Sequence, residues 1–201
     1  MNIAVIGTGY VGLVSGTCFA DSGNNVTCVD IDEQKVGELK DGQIPIYEPG
    51  LETIFARSQR EGRLQFTTDI GEAVPQADIV FLCLPTPPGG DGQADLSAVM
   101  AVAEQLGPIV DSYTVIVNKS TVPVGTGAEV DRVIQETTPG ADIDVASNPE
   151  FLREGQAIRD FMDPDRVLLG VPSARAGEVL RTIYQPLKDQ GAPVIETVRE
   201  H

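Results

Sequence analysis

A glycine-rich turn and an acid 23 residues after its first glycine are the residues best suited to chemistry in this sequence. Gly7, Gly9 and Gly12 form a G-x-G-x-x-G pattern after an apolar segment, and Asp30 closes the next apolar segment. The first glycine permits a tight strand-to-helix turn, the second lets the backbone approach a pyrophosphate, and the third allows close helix packing. The N–H groups at the helix start attract phosphate, and the acid binds a ribose 2′-hydroxyl but repels a 2′-phosphate. The pattern therefore predicts a dinucleotide site that prefers NAD to NADP.

Simpler interpretations of these residues stay open at this stage. The glycines could serve helix packing alone, and Asp30 could be the N-cap of the following helix. Lys35, five residues after Asp30, could reach the adenosine end of the cofactor or could lie on a solvated helix face.

Short apolar segments alternate with helical patterns along the whole chain. The strand candidates are rich in Val and Ile, as is typical of strands buried on both faces. They are residues 3–6, 26–29, 65–67, 79–84, 114–117, 143–147, 167–170 and 194–196. The helical patterns are residues 11–21, 33–40, 51–60, 96–110, 127–136 and 174–184. This alternation predicts an α/β fold of the Rossmann-like, doubly wound type, with a mostly parallel sheet and helices on both faces.

A loop rich in proline and glycine follows the strand predicted at 79–84. It contains Pro85, Pro87, Pro88 and three glycines up to residue 92. Because ligands bind outside the carboxyl ends of the strands in open α/β sheets, we expect this loop to border the ligand crevice.

The composition disfavours several classes of function. Thirty acidic residues against 14 basic ones give a formal charge of −16, which opposes binding to nucleic acid. No apolar run approaches the roughly 18 residues of a membrane span, and the N-terminus lacks the basic region of a signal peptide. Cys18, Cys28 and Cys83 lie in apolar segments without C-x-x-C spacing, which indicates reduced core residues of a cytoplasmic protein. The single histidine is His201, so we expect neither a metal site nor a Ser-His-Asp triad.

Several longer motifs carry a resemblance to a known family. They read GYVGL at 9–13, PIYEPGL at 45–51, PTPP at 85–88, DGQADLS at 91–97, KSTVPVGT at 119–126, NPEFLREG at 148–155 and DPDRV at 163–167. In this order, over essentially all 201 residues, they resemble the N-terminal NAD-binding domain of the UDP-glucose/GDP-mannose dehydrogenase family. The ADLS and PDRV segments look more like those of UDP-glucose 6-dehydrogenases than those of GDP-mannose or UDP-N-acetylmannosamine dehydrogenases.

The resemblance implies a reaction and roles for individual residues. Enzymes of this family oxidise a sugar 6-hydroxyl to a carboxylate in two hydride transfers to NAD, through a cysteine thioester that water hydrolyses. Thr121 matches a threonine that helps to hold a catalytic water, and Glu150 matches the glutamate credited as general base in the hydrolysis. Besides the glycine turn, the cofactor-contacting positions match Tyr10, Val11, Asp30, Lys35, Thr86, Thr121 and Glu154. The segment that contacts the nucleotide sugar, largely through backbone groups, matches Glu150, Phe151, Leu152, Arg153 and Glu154.

Most of these residues also allow simpler roles. Thr121 lies between a predicted strand and a predicted helix, where an N-cap threonine is the ordinary explanation. Glu150 follows an Asn-Pro turn and could accept a proton from water or could be a surface residue. Glu154, one helical turn from Glu150, could cap a helix or bond a ribose or amide. Lys119 is most simply a strand-end charge or a structural ion-pair partner, and the loop at 45–51 could be a rigid turn or could close over the substrate.

The resemblance also implies what lies elsewhere. In the family, a central helical domain and a second nucleotide-binding domain carry the catalytic cysteine, and none of the three cysteines here matches it. We therefore expect residues 1–201 to be one NAD-binding domain of a longer, cytoplasmic, homo-oligomeric enzyme acting on UDP-glucose, and to be inactive alone. Two alternatives stay open: the same chemistry on GDP-mannose or UDP-N-acetylmannosamine, or a non-catalytic NAD-binding module.

Overall fold

An eight-stranded sheet forms the centre of the structure, a computed structural model that describes residues 1–90 and 92–198. The strands are β1 (Asn2–Ile6), β2 (Asn25–Val29), β3 (Leu64–Thr67), β4 (Ile79–Leu82), β5 (Thr114–Asn118), β6 (Ile143–Ser147), β7 (Val167–Val171) and β8 (Val194–Val198). Their order in space is β3-β2-β1-β4-β5-β6-β7-β8. All neighbouring strands are parallel except β6 and β7, which meet at the antiparallel pair Ser147 and Gly170. The mostly parallel sheet is thus confirmed.

In the described part of the chain, eight α-helices cover the two faces of this sheet. They are α1 (Tyr10–Asp21), α2 (Glu33–Lys40), α3 (Leu51–Arg60), α4 (Ile70–Ala73), α5 (Ser97–Leu106), α6 (Thr126–Thr137), α7 (Ala157–Met162) and α8 (Ala174–Asp189). Helices α1, α2, α3, α7 and α8 bury their apolar residues on one face, and α4, α5 and α6 on the other. The doubly wound arrangement is therefore confirmed. None of these helices is long and apolar enough to cross a bilayer.

The predicted helices differ from the structure mainly in their lengths. The pattern at 96–110 contains α5 and then a 3₁₀ turn at Gly107–Ile109. The helix predicted at 174–184 continues through Pro186 to Asp189, although proline removes a backbone donor. Buried Leu187 holds this last turn against the sheet. Helices α4 and α7 span only four and six residues, which is too short for a periodic pattern to reveal.

An aromatic cluster holds α1 against the sheet. Phe19 of α1 is 1% exposed, and its ring lies 4.9 Å from the rings of Phe81 and Phe161. Tyr184 of α8 closes the cluster at 5.8 Å from Phe19. Losing a buried phenylalanine of this kind costs about 3–5 kcal/mol, so the position of α1 is firmly fixed. Because α1 begins at the glycine turn, the cluster also fixes that turn.

The three cysteines belong to the core. Cys18, Cys28 and Cys83 are buried free thiols. Burial raises the pKa of each thiol, and that of Cys83 to about 12. They therefore act as small apolar residues, as predicted. Asp91 of the DGQADLS motif and the single histidine, His201, lie outside the described residues.

Candidate functional site

A cavity of about 750 Å³ lies where the strand order reverses, between β1 and β4. Ligands of open α/β sheets bind at this switch point, outside the carboxyl ends of the strands. We call it the cofactor cavity. The predicted cofactor residues on its wall are Gly7, Gly9, Tyr10, Val11, Asp30, Lys35, Thr86 and Thr121. Thus residues spread over 115 positions of sequence meet in one place.

The glycine turn has the shape that its pattern predicts. Gly7 has a φ of +98°, and a Cβ atom there would lie 2.5 Å from the carbonyl oxygen of Cys83. At Gly12 a Cβ would lie 1.9 Å from the carbonyl oxygen of Gly7, so the turn leaves no space for a side chain. Gly12 lies behind the cavity wall, not on it. At Gly9, which does line the cavity, a Cβ would meet no atom within 4 Å.

The start of α1 offers free donors to the cofactor cavity. Its N-cap is Gly9, which provides no side-chain hydrogen bond. Leu13 donates the first intrahelical bond, 2.9 Å to the carbonyl of Gly9. The amides of Tyr10, Val11 and Gly12 therefore have no acceptor within the helix. Unpaired amides and the positive end of the helix dipole fit a pyrophosphate.

Asp30 is an ionised hydrogen-bond acceptor at the end of β2. Its Oδ2 accepts bonds from the Thr8 amide (2.9 Å), the Thr8 hydroxyl (2.5 Å) and the Lys35 ammonium (2.9 Å). Oδ1 accepts one bond, from the amide of Asp32 at 3.2 Å. Burial alone would raise the pKa of Asp30, but these hydrogen bonds outweigh it and lower the pKa to about 2. Oδ1 keeps a lone pair for a ribose hydroxyl.

The simpler interpretations of Asp30 and Lys35 are wrong. The N-cap of α2 is Asp32, whose Oδ1 accepts from the Lys35 amide at 3.1 Å. The ammonium of Lys35 folds back onto Asp30, and both side chains are largely buried, at 25% and 15% exposure. The acid and the lysine together form one end of the cofactor cavity.

Two loops meet at the other end of the cavity. Thr86, after β4, donates a 2.9 Å hydrogen bond to the backbone carbonyl of Thr121, after β5. Ser120 donates 2.7 Å to the carbonyl of Leu84 and ties the loops together again. The N-cap of α6 is Gly125, so Thr121 is not a helix cap. Its hydroxyl is therefore free of that role.

Part of the cavity wall was not predicted. Ile31 directly follows Asp30 and is 94% exposed, which is unusual for isoleucine at a strand end. On α5 the spacing of the wall residues marks a single helix face, but a pattern cannot tell which partner that face meets. The unpredicted wall residues include Ile31, Thr68, Ile70, Leu84, Ala98, Ala101, Val102 and Gln105.

A second cavity, of about 610 Å³, adjoins the predicted nucleotide-sugar segment. Glu150, Phe151, Leu152 and Arg153 line it. Glu150 also lines the cofactor cavity, so its half-buried carboxylate borders both spaces. Its Oε2 accepts a 2.6 Å bond from the Leu152 amide, which holds the side chain in this position. Arg153 is paired with Asp160 at 2.6 Å.

Besides Gly12, Glu154 is the predicted site residue that the structure leaves outside the cavities. It is exposed and lines neither cavity. The N-cap of α7 is Gln156, so Glu154 does not cap that helix either. Residues 150–153 are not helical, and Glu150 and Glu154 therefore do not share a helical turn as expected.

Lys119 is buried beneath the second cavity, at 4% exposure. Its ammonium donates 3.0 Å to Oδ1 of Asn148 and lies 5.8 and 5.9 Å from the ring centres of Phe81 and Phe161. Tyr184 donates to the same Asn148 oxygen. Burial lowers the pKa of Lys119. No carboxylate among the described residues forms an ion pair with it, so the ion-pair role is wrong, whereas the predicted position at a strand end, directly after β5, is confirmed.

The fold and the cofactor cavity together define a class. A glycine turn that opens α1, an ionised acid at the end of β2 and a sheet reversing at β1 and β4 are the parts of a Rossmann-like dinucleotide-binding domain. The chain belongs to the UDP-glucose/GDP-mannose dehydrogenase family, because residues 1–188 match the model of that family's NAD binding domain.

Individual proteins show the same similarity. The chain is 54% identical over 202 residues to UDP-glucose 6-dehydrogenase of Rhizobium meliloti, covering 99% of this chain and 46% of that protein. A UDP-glucose dehydrogenase structure from Pyrobaculum islandicum matches at a TM-score of 0.94 and 39% identity, over 99% of this chain and 46% of that one. The structure of a ternary complex of GDP-mannose dehydrogenase from Pseudomonas aeruginosa matches at a TM-score of 0.94 and 35% identity. The match covers 100% of this chain and 47% of that one. The chain thus spans less than half of the length of these relatives.

Proposed function

We propose that residues 1–201 are the NAD-binding domain of an enzyme that oxidises UDP-glucose to UDP-glucuronate with two NAD and one water. The remaining polypeptide would supply a central helical domain and a second nucleotide-binding domain with the reacting cysteine. The observation that carries this proposal is the position of Glu150, which borders both the cofactor cavity and the second cavity. The 54% identity to a UDP-glucose 6-dehydrogenase supports UDP-glucose as the substrate.

The cofactor cavity supplies binding and orientation. NAD, when bound, provides the hydride acceptor for both oxidations. The free amides at the start of α1 bind the pyrophosphate, and Oδ1 of Asp30 accepts a ribose hydroxyl. The paired loops of Thr86 and Thr121 close the far end of the cavity. These contacts hold the cofactor without any excess of positive charge on the chain.

Glu150 acts in the last chemical step. Water attacks the thioester carbonyl, the Glu150 carboxylate takes the proton of that water, and the thiolate of the cysteine leaves. The Thr121 hydroxyl orients the water. Both residues line the cofactor cavity, which supports their action next to the carbon that is oxidised. The segment of Phe151, Leu152, Arg153 and Glu154 binds the nucleotide sugar through its backbone.

We further propose that the enzyme is a cytoplasmic homo-oligomer. Three buried, unbonded thiols are typical of a reducing compartment. The family resemblance is the support for the oligomer. Gel filtration with light scattering on the purified protein measures its mass and checks the oligomer directly.

The test uses the polypeptide that carries this chain, with Glu150→Gln as the variant and Glu178→Gln as its control. Glu178 is an exposed residue of α8 outside both cavities, and undergoes the same loss of charge. NADH formation is followed with UDP-glucose, GDP-mannose and UDP-N-acetylmannosamine. We expect UDP-glucose to be oxidised and Glu150→Gln to give a burst of NADH followed by a steady rate about 10²–10⁴-fold lower. Glu178→Gln should be unchanged.

The other outcomes assign different roles. A normal steady rate in Glu150→Gln would show that Glu150 is a loop carboxylate with no part in the hydrolysis. Oxidation of GDP-mannose in place of UDP-glucose would show that GDP-mannose is the substrate. Binding of NAD without oxidation of any of the three sugars would favour the non-catalytic module.

A further inference from the structure

A buried carboxylate connects residues near the two cavities by hydrogen bonds. It belongs neither to the predicted cofactor residues nor to the predicted nucleotide-sugar segment. Glu48 lies in the loop between α2 and α3 and is 4% exposed. Its Oε2 accepts a hydrogen bond from the hydroxyl of Tyr10 and another, at 2.8 Å, from the amide of Gly155. The Gly155 amide also lies 3.2 Å from the Tyr10 hydroxyl oxygen, so the three groups form one junction.

The partners of Glu48 belong to different functional segments. Tyr10 lies inside the glycine turn and lines the cofactor cavity. Gly155 directly follows the nucleotide-sugar segment at 150–154. The two are 145 positions apart in sequence. Glu48 therefore links the phosphate loop of the cofactor cavity to the residue after a segment whose first four residues line the second cavity.

Two hydrogen bonds to the same carboxylate oxygen stabilise the junction. Burial, followed by the hydrogen bond to Glu48, raises the pKa of Tyr10 to about 12, so its hydroxyl stays protonated and donates. Hydrogen bonds to a carboxylate are roughly twice as strong as neutral ones. Gly155 has a φ of +83°, which strains any other residue, and a Cβ there would meet no atom within 4 Å. Gly155 is thus required for the backbone conformation and not for space.

The proposed function explains why such a link matters. The amides of Tyr10 and its neighbours become fixed around a pyrophosphate, whereas the backbone at 150–154 becomes fixed around a nucleotide sugar. A ligand that orders one side of a rigid junction reduces the ordering cost on the other side. Coupling of this kind is reciprocal between the two ligands.

We propose that Glu48 is a positioning residue that couples the two cavities, so that bound NAD raises the affinity for the nucleotide sugar and the sugar raises the affinity for NAD. This inference rests on the proposed function, because it needs a nucleotide sugar at the second cavity. Glu48 contacts no reacting atom; it acts through Tyr10 and Gly155.

The test measures a coupling factor in the polypeptide that carries this chain. The factor is the dissociation constant of NAD without UDP-glucose divided by that with saturating UDP-glucose, both from calorimetry. Glu48→Met keeps the length of the side chain but removes the acceptor, whereas Glu48→Gln keeps an oxygen that can accept both bonds. Tyr10→Phe removes one donor and leaves the ring. Glu52→Met is the matched control, since Glu52 is exposed at the start of α3.

We expect a coupling factor of at least fivefold in the unchanged protein, close to one in Glu48→Met, and mostly restored in Glu48→Gln. Tyr10→Phe should lower the factor, and combining it with Glu48→Met should cause no further loss, because both act through one junction. Glu52→Met should have no effect. Urea unfolding of each variant reports its stability.

Two results would overturn the inference. One is a coupling factor near one in the unchanged protein, and the other is an intact factor in Glu48→Met accompanied only by lower stability. In both cases UDP-glucose still binds, and the proposed function stands. Failure of the unchanged protein to bind UDP-glucose would instead overturn the proposed function and this inference together.

Discussion

Replacing Asp30 by asparagine tests how the cavity distinguishes NAD from NADP. Three donors surround Oδ2 of Asp30, from Thr8 and Lys35. In Asp30→Asn the amide oxygen must take that position, because an NH₂ group there would face three donors. The NH₂ group then lies at the Oδ1 position, where a ribose hydroxyl would otherwise donate. The substitution thus removes the ribose acceptor and leaves the Lys35 ammonium without a neutralising negative charge.

The structure limits the size of the effect. Of the two lone pairs on Oδ1 of Asp30, one accepts the Asp32 amide, which leaves one for a single ribose hydrogen bond. A hydrogen bond to a charged group contributes about 1.5–3 kcal/mol, which corresponds to about 10- to 150-fold weaker NAD binding. NADP should bind more tightly to Asp30→Asn than to the unchanged chain, because its 2′-phosphate loses a repelling charge and gains Lys35.

Calorimetry on the chain with NAD and with NADP measures both effects. Asp32→Asn is the control: it makes the same charge change two residues away, at an exposed N-cap outside the cavity. We expect the NAD-to-NADP affinity ratio to fall at least tenfold in Asp30→Asn and to stay within about twofold in Asp32→Asn. Equal ratios in both variants would refute a role for Asp30 in cofactor choice.

Two further predictions concern stability. Gly12→Ala places a methyl group 1.9 Å from the Gly7 carbonyl oxygen and should lower the unfolding free energy by about 3 kcal/mol or more. Gly37→Ala in α2, where the methyl group meets no atom within 4 Å, should instead raise the unfolding free energy by about 0.4–1 kcal/mol. Similar urea midpoints for the two variants would contradict this. Because the folded pKa of Asp30 is lowered from 3.8 to about 2, its contribution is present above pH 4 and disappears as the pH falls through 2. Between pH 5 and 2 the unchanged chain should therefore lose about 2 kcal/mol more than Asp30→Asn, and parallel acid unfolding curves would show that the carboxylate is not stabilised in the fold.

The repetitive parts of the fold could be predicted from the sequence. All eight strands were found because strands buried on both faces are continuous apolar runs, and the long helices because their faces repeat. The glycine turn and Asp30 were found because each has a fixed distance from a strand end. Helix α7, with six residues, offers no such repeat, and the passage of α8 through Pro186 depends on tertiary packing.

The parts of the site that escaped prediction depend on contacts between distant segments. Nothing in the local sequence shows that buried Lys119 has an amide and two rings for neighbours instead of a carboxylate. Glu48 looks like part of a rigid turn until the fold places Tyr10 and Gly155 beside it. Such junctions follow from the packing of loops and not from a pattern along the chain.

The single antiparallel pairing in the sheet, between β6 and β7, is the weakest connection between neighbouring strands. Between β6 and β7 the register is limited to Ser147 and Gly170, whereas β7 and β8 pair along five residues. Across this seam Asn148 donates 3.0 Å to the carbonyl of Leu168. Units joined by few backbone bonds open before the remainder of a domain. The amides of β7 and β8 should thus exchange with deuterium earlier than those of β1, β4 and β5, and the turn that carries Glu150 follows β6 directly at this seam.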